Sequence, residues 1–182
     1  MGEDKGKKLI TASTLAAIGI GTLLMFVLMR FVAIPSGVPD VNLQFGIAIL
    51  TVFAAIFGPV VGFLIGFLGH ALVDITMGGI WWAWIISDAL YGLAIGLFSK
   101  FFLLEDGKFG IKQAVFFNIV QILANLLAWV VIAPLLDILI HEEPAGKVHV
   151  QGPVAACLNA AVVLIIGTLL VFGYSKTRTE TK

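Results

Sequence analysis

The chain has 182 residues, 60% of them hydrophobic and 12% charged, with eleven basic and eleven acidic side chains and a formal net charge of zero. Its mean hydropathy is +1.08, whereas a soluble domain is about half apolar and about a quarter charged, so the chain reads as an integral membrane bundle. Six helices of about 20 residues would use about 120 positions, which leaves no room for a soluble catalytic domain, and no basic stripe of the kind that meets nucleic acid is present.

Other classes fall on local grounds. Gly107-Lys108-Phe109 and Gly146-Lys147-Val148 both lack the Gly-Lys-Ser/Thr ending of a phosphate-binding loop, so ATP hydrolysis by that route is excluded. The single cysteine, Cys157, permits no intrachain disulfide. The apolar stretch 9–32 exceeds the core of a signal peptide and is expected to be retained as a helix. Gly6 stands where a myristoylation signal after Met1-Gly2 needs Ser or Thr.

Apolar runs set against turn and charge signals predict an all-α fold, one membrane domain over 1–182 with spans at 9–32, 41–57, 60–76, 80–98, 113–139 and 153–173. Spans two and three are joined by Phe57-Gly58-Pro59, a tight hairpin. The other joints carry breakers: Pro35 to Pro39, Gly78-Gly79, Glu105 to Lys108 and Glu142 to Gly146. Lys5, Lys7, Lys8, Lys100, Lys108, Lys112, Lys176, Arg178 and Lys182 then fall on one side, leaving Arg30 and Lys147 on the other. The excess of positive charge puts both termini in the cytoplasm.

Polar side chains inside a bilayer are costly and therefore informative. Span three carries His70 and Asp74 at i, i+4, on the face that also holds Gly62 and Gly66. In span four, Trp84, Asp88 and Tyr91 share one face below Trp81 and Trp82, with Asp88 about 10 Å under Trp81. Span five places Asn118, Gln121 and Asn125 on one stripe, with Trp129 a turn further out; span six carries Gln151 and Asn159, and span two opens with Asn42 and Gln44. These groups converge in the outer half, which predicts a pocket open to the outside. An interfacial belt is an equal reading for Trp81 and Trp82. Asn118 reads as interhelical glue. Asp74 and Asp137, near span ends, are readable as solvated interfacial groups.

The small residues have a separate role. Gly58, Gly62 and Gly66, and Gly92 with Gly96, form small-xxx-small ridges that let helices approach closely. Ala12 and Ala16 lie at the cytoplasmic end of span one, away from any pocket, as a flat patch suited to docking another membrane subunit.

The composite of Val41-Asn-Leu-Gln-Phe45, Phe57-Gly-Pro-Val-Val-Gly-Phe63, Gly66-Phe-Leu-Gly-His-Ala-Leu72, Trp81-Trp-Ala-Trp84, the Asn118 to Asn125 stripe and Tyr174-Ser-Lys-Thr-Arg178 resembles the substrate-binding (S) components of energy-coupling factor (ECF) transporters. The subgroup is the one labelled riboflavin-type, to which a cobalamin-specific member is also similar. The resemblance covers nearly the whole chain. It implies a place in the bacterial cell membrane, a vitamin site facing outside, and work with a membrane scaffold subunit and two cytoplasmic ATPases. It also implies that Ala12-Ser-Thr-Leu-Ala16 is the family's docking motif and that the loaded component topples to carry its ligand inward. No metal, cofactor or catalytic residue is implied.

The site expected from these readings comprises Asn42, Gln44, His70, Asp74, Trp84, Asp88, Tyr91, Asn125, Trp129 and Asn159. A flavin ring on Trp84 or Trp129, with amide partners from Asn125 and Asn159, suits riboflavin. The subgroup favours cobalamin, which is larger than the bundle core and would sit in a mouth shaped by residues 34–40 and 140–151. Two other classes compete. One is a stand-alone proton-coupled transporter using Asp88, Asp74 and His70 as a relay. The other, a membrane enzyme using His70 and Asp74 as acid and base, lacks a nucleophile and a metal-ligand set.

Overall fold

The computed structural model describes residues 11–179; Met1-Gly2, Gly6, Lys5, Lys7, Lys8, Lys182 and the start of the first predicted span at Leu9 lie outside the described residues. Helix α1 (Ala12–Phe31) begins where the Thr11 hydroxyl accepts the Thr14 N–H at 3.2 Å, an N-cap that satisfies one of the helix's free donors. Beyond it, Pro35 and Pro39 bar helix, and the chain forms a short antiparallel ribbon of β1 (Ile34–Pro35) and β2 (Asn42–Leu43). Ser36 closes the turn between them, its hydroxyl donating to the Val41 carbonyl at 2.7 Å and accepting the Val38 N–H.

That ribbon shortens the second element. A span over 41–57 was expected, but residues 41–45 are tied into the ribbon and its approach, so α2 runs only Gly46–Phe57. Its 12 residues rise about 18 Å, short of a hydrocarbon core of about 30 Å. The hairpin to α3 (Pro59–Met77) is the single residue Gly58, at φ +90, with Pro59 in the first turn where its missing N–H costs nothing. Helix α4 (Trp82–Leu97) follows, then a 3₁₀ turn at Ser99–Phe102.

The last two helices are the long ones. Helix α5 (Ile111–His141) has 31 residues and α6 (Ala145–Arg178) has 34. Pro134 lies inside α5, where it removes a donor and crowds the preceding turn, and the residues just before it, Leu126–Ile132, widen into a π-helical segment. A second π-helical segment interrupts α6 at Val163–Gly167. The sixth span was expected to start at Pro153; the helix instead begins at Ala145 directly after Pro144, and Pro153 is an interior, exposed residue. Most of the 140–151 segment expected to be an external loop is therefore helix.

Among the described residues the fold is thus all-helical apart from the ribbon, with six helical bodies. Four of them (α1, α3, α5, α6) are long and apolar enough to cross a membrane, while α2 and α4 are shorter apolar helices. The outward faces are Leu, Ile, Val and Phe, as at Leu23, Val27, Leu127, Val131 and Leu169, whereas Thr51, His70, Asp88, Gln121, Asn125 and Asp137 are buried. That arrangement inverts the pattern of a soluble protein and suits a lipid surround.

Helices α3 and α4 make the closest crossing. A Cβ placed on Gly92 would fall 2.3 Å from the Gly62 carbonyl oxygen, and one on Gly62 would fall 2.3 Å from that of Gly92. Backbone meets backbone there, so no side chain fits. Gly19 on α1 is the opposite case, since a Cβ there meets nothing within 4 Å. Gly92→Ala should therefore lower stability by about 1–3 kcal/mol, and Gly19→Ala should leave it unchanged or raise it by up to about 1 kcal/mol. Thermal unfolding of the two variants in the same detergent checks the contrast.

Candidate functional site

One end of the bundle gathers the end of α1, the ribbon, the α3–α4 turn and the α5–α6 turn; it is called the indole end here. The other carries Lys100, Lys108, Lys112, Lys176 and Arg178. Three networks form in the interior, two of them toward the indole end and the amide network reaching from mid-bundle toward the lysine end.

The first joins α3 to α4. His70 and Asp88 are buried, and the His70 Nδ1–H donates to Asp88 Oδ2 at 2.6 Å. His70 Nε2 lies 3.7 Å from Asp74 Oδ1, one turn on. Asp74 in turn accepts the backbone N–H of Trp81 at 2.8 Å on its Oδ2, capping the first turn of α4 across the Gly78-Gly79 bend. A carboxylate, an imidazole and a second carboxylate are thus laid along the crossing that the glycines permit: a Cβ on Gly66 would strike the Asp88 carbonyl oxygen at 2.4 Å.

The second network is made of amides. Asn118 donates to Thr168 Oγ1 at 3.0 Å, Gln121 donates to Asn118 Oδ1 and to the Ala160 carbonyl, and Asn125 donates to the Gln121 carbonyl and side chain. The stripe binds α5 to α6. Tyr91 of α4 meets this stripe at Asn125, and its hydroxyl also lies 2.8 Å from that of Thr51 on α2.

The third network centres on Asp137 of α5. Its Oδ1 accepts the Trp81 indole N–H at 2.6 Å and its Oδ2 the Trp84 indole N–H at 3.0 Å. The His141 ring, one turn further, stacks on Trp81 with centroids 4.0 Å apart and planes at 10°. Trp84 meets Trp129 edge to face at 5.5 Å. Between these rings and α6 lies a cleft of about 180 Å³, in slits narrower than a water molecule, lined by Trp84, Trp129, Ala133, Pro134, Asp137, Val148, Gln151, Gly152 and Ala155. Gly152 makes it possible: a Cβ there would lie 2.2 Å from the Trp129 carbonyl oxygen. The Gln151 side chain donates to the Pro39 carbonyl at 2.9 Å, tying the ribbon turn over this corner, and Lys147 bridges Asp40 and Glu143 beside it.

Of the expected site residues, Trp84 and Trp129 come together on this cleft. Asn125 lies one turn from Trp129 on the same helix, with its Oδ1 buried and unpartnered among the described residues. Asn159 is buried on α6. His70, Asp74 and Asp88 form the separate α3–α4 network, and Tyr91 belongs to the α2–α4 contact. Asn42 and Gln44 are half-buried on and just after β2. Asp137 and Gln151 line the cleft and were outside the expected set. A signal for Asp137 was present, since it is the only acidic residue between 111 and 141. It was read as interfacial because the span was ended at 139, whereas α5 continues to His141 and Asp137 is only 3% exposed.

A wider hollow at the opposite end, about 520 Å³ on the same measure that gives the cleft 180 Å³, is lined by Ala55, Ile56, Ser99, Lys100, Leu103, Leu104, Glu105 and Asp106. Its charged residues are exposed, and Glu105 is already held by Arg178 and Tyr174. The cleft, with buried polar groups and aromatic walls, has the chemistry of a ligand site.

Comparison with known proteins agrees across almost the whole chain. Residues 9–176 match the family model described as ECF-type riboflavin transporter, S component. A UPF0397 protein of Lacticaseibacillus casei is 46% identical over 97% of this chain and 95% of its own length. UPF0397 proteins of Lactobacillus helveticus (46%, covering 94% of each chain) and Clostridium perfringens (42%, covering 96% and 95%) are similarly related. No solved structure matches.

The α3–α4 network should be a major stabilising feature. Removing one partner of a buried ion pair leaves an uncompensated group, and the usual cost is about 3–5 kcal/mol. His70→Ala and Asp88→Ala should each unfold the protein at markedly lower temperature, while Asp106→Ala, an exposed residue at the far end, should not; thermal melts of the three variants test this.

Proposed function

Because the chain belongs to the ECF-type riboflavin transporter S-component family, we propose that it is the vitamin-capturing membrane subunit of an ECF importer, working with a scaffold subunit and two cytoplasmic ATPases. The observation that carries the reading is the family match over residues 9–176. Six membrane passages with both termini cytoplasmic follow from the distribution of lysine and arginine, which sets the indole end outside. The two short helices α2 and α4 are then buried among the long ones and reach their full crossing with the turns that flank them.

Two surfaces divide the work. Ala12, Ala16 and Gly19 are all exposed on α1 and follow one another at i, i+4, i+7. Such a ridge offers a flat, side-chain-poor strip on which a partner helix can pack closely, at the end opposite the cleft. The cleft between α4, α5 and α6 is the ligand site, with Trp84 and Trp129 as its walls and Asn125 and Asn159 near by. Cobalamin and riboflavin are the vitamins that the resemblance brings. The cleft as it stands is closed, with no space for a water-sized sphere, so either vitamin is admitted only by an opened form. Entry requires the outer ends of α5 and α6 to part, and the π-helical segment at Leu126–Ile132 is a ready place for α5 to bend.

The reading makes a prediction independent of the ligand. The double variant Ala12→Leu/Ala16→Leu should lose co-purification with the scaffold and ATPase subunits while its melting temperature stays within the error of the parent, because both side chains are exposed. Undiminished co-purification would remove α1 as the docking face. Uptake of a vitamin by the isolated chain in liposomes under a proton gradient, with no ATPase present, would overturn the S-component reading itself.

A further inference from the structure

The two ends of the bundle differ in how their cations are paired. At the indole end Lys147 is shared between Asp40 at 3.3 Å and Glu143 at 3.1 Å. At the opposite end Lys100, Lys108 and Lys112 are all exposed, and none forms an ion pair among the described residues. Acids are at hand in the same loop. Glu105, however, is committed to Arg178 at 3.3 Å and to the Tyr174 hydroxyl, and Asp106 pairs with none of the three lysines. Retention of positive charge on one side of a membrane accounts for lysines being there, but not for their being left unpaired in the folded chain.

The same corner is apolar and aromatic. Phe98, Phe101 and Phe116 pack on one another with centroids between 6.1 and 6.4 Å apart. Phe101 and Ile111 are 64% and 85% exposed. Lys100 stands between Phe98 and Phe101 in the 3₁₀ turn, and Lys112 precedes Phe116 by one turn of α5. From Ile111 the exposed surface continues along α5 through Val115 and Ile119, at i, i+4, i+8. Ammonium groups without counter-charges therefore border a surface that runs unbroken into the lipid-facing side of the bundle.

We propose that the corner between α4 and α5 binds anionic phospholipid, with the lipid phosphate on Lys100, Lys108 and Lys112 and the acyl chains against Phe98, Phe101 and Phe116. Charge and continuity name the occupant. The lysines call for negative charge, and the apolar stripe of α5 leads from them into the acyl region, where lysine stems and aromatic rings are at home. A zwitterionic headgroup carries its own ammonium and leaves the lysines less to gain than an anionic one. The hollow beside Lys100 is rimmed by Glu105 and Asp106 and is not the seat of the phosphate. The inference is independent of the vitamin site.

The test uses the full chain in dodecyl maltoside micelles, titrated with phosphatidylglycerol or with phosphatidylcholine of the same acyl chains while thermal unfolding is followed. A saturable rise in melting temperature is expected with phosphatidylglycerol alone. Glycerol 1-phosphate, the headgroup without its chains, should give no rise, and neither lipid should act once salt has shortened the Debye length to about 3 Å. The triple variant Lys100→Gln/Lys108→Gln/Lys112→Gln should melt like the parent before lipid is added, since its altered side chains are exposed and unpaired. At about fivefold for each lysine, it should need more than about tenfold more phosphatidylglycerol for half the rise. Arg30→Gln, at the other end, should keep the parent's response. Equal rises with the two lipids, or an unchanged phosphatidylglycerol dependence in the triple variant, overturns the proposal. Loss of co-purification with the scaffold and ATPase subunits in a triple variant that keeps that dependence makes the corner a protein interface instead, and also overturns it.

Discussion

The contact on which the rest of the molecule depends is the crossing of α3 and α4. Gly62 and Gly92 place backbone against backbone, and Gly66 lets α3 approach the carbonyl of Asp88. Only at that separation can the His70 ring reach Asp88 at 2.6 Å. In lipid, a carboxylate and an imidazole without each other would each be costly, so the glycines and the ion pair support one another. The same crossing sets the Gly78-Gly79 turn, where Asp74 caps α4 and fixes the direction in which Trp81 and Trp84 leave the helix.

From that fixed start the polar interior is assembled by partnering. The amide stripe ties α5 to α6, Tyr91 ties α4 to α2, and Asp137 ties α5 to α4. Bilayer lipid offers no hydrogen bonds, so each buried polar group must find its partner on a neighbouring helix. What is left over is therefore informative. Among the described residues the Trp129 indole N–H and the Asn125 side-chain oxygen remain buried without a hydrogen-bond partner.

The placement also suits a division of labour. The cleft and the ribbon that straps it occupy one end, and the exposed small-residue strip of α1 occupies the other. A family of substrate-capturing subunits that draw their energy from separate ATPases needs both surfaces on one small chain. The present closed cleft, with its π-helical segment in α5 and Pro134 beside it, has a built-in place at which the wall can bend.

Much of this was legible in the sequence. Composition gave the membrane class, because the hydrophobic excess has no other place to go. The 3.6-residue period gave the faces: Trp84, Asp88 and Tyr91 do lie on one side of α4, and Ala12 and Ala16 do lie on the outside of α1. Three things were not legible. The ribbon displaced the start of α2 from 41 to 46, because the Ser36 and Val41 pairing is a local competition that apolar content does not register. The last helix began at Ala145, because Pro153 can break a helix or sit within one. Asp137 was assigned to the interface, because two further residues of helix decide whether it turns inward. The sequence by itself determined the class, the helices and which residues share a face, since these follow from hydropathy and helical period. Only the tertiary structure decided which face meets which: one face of α4 reaches α5 through Trp84, α3 through Asp88 and α2 through Tyr91, and a periodicity carries no information about the neighbour across the gap.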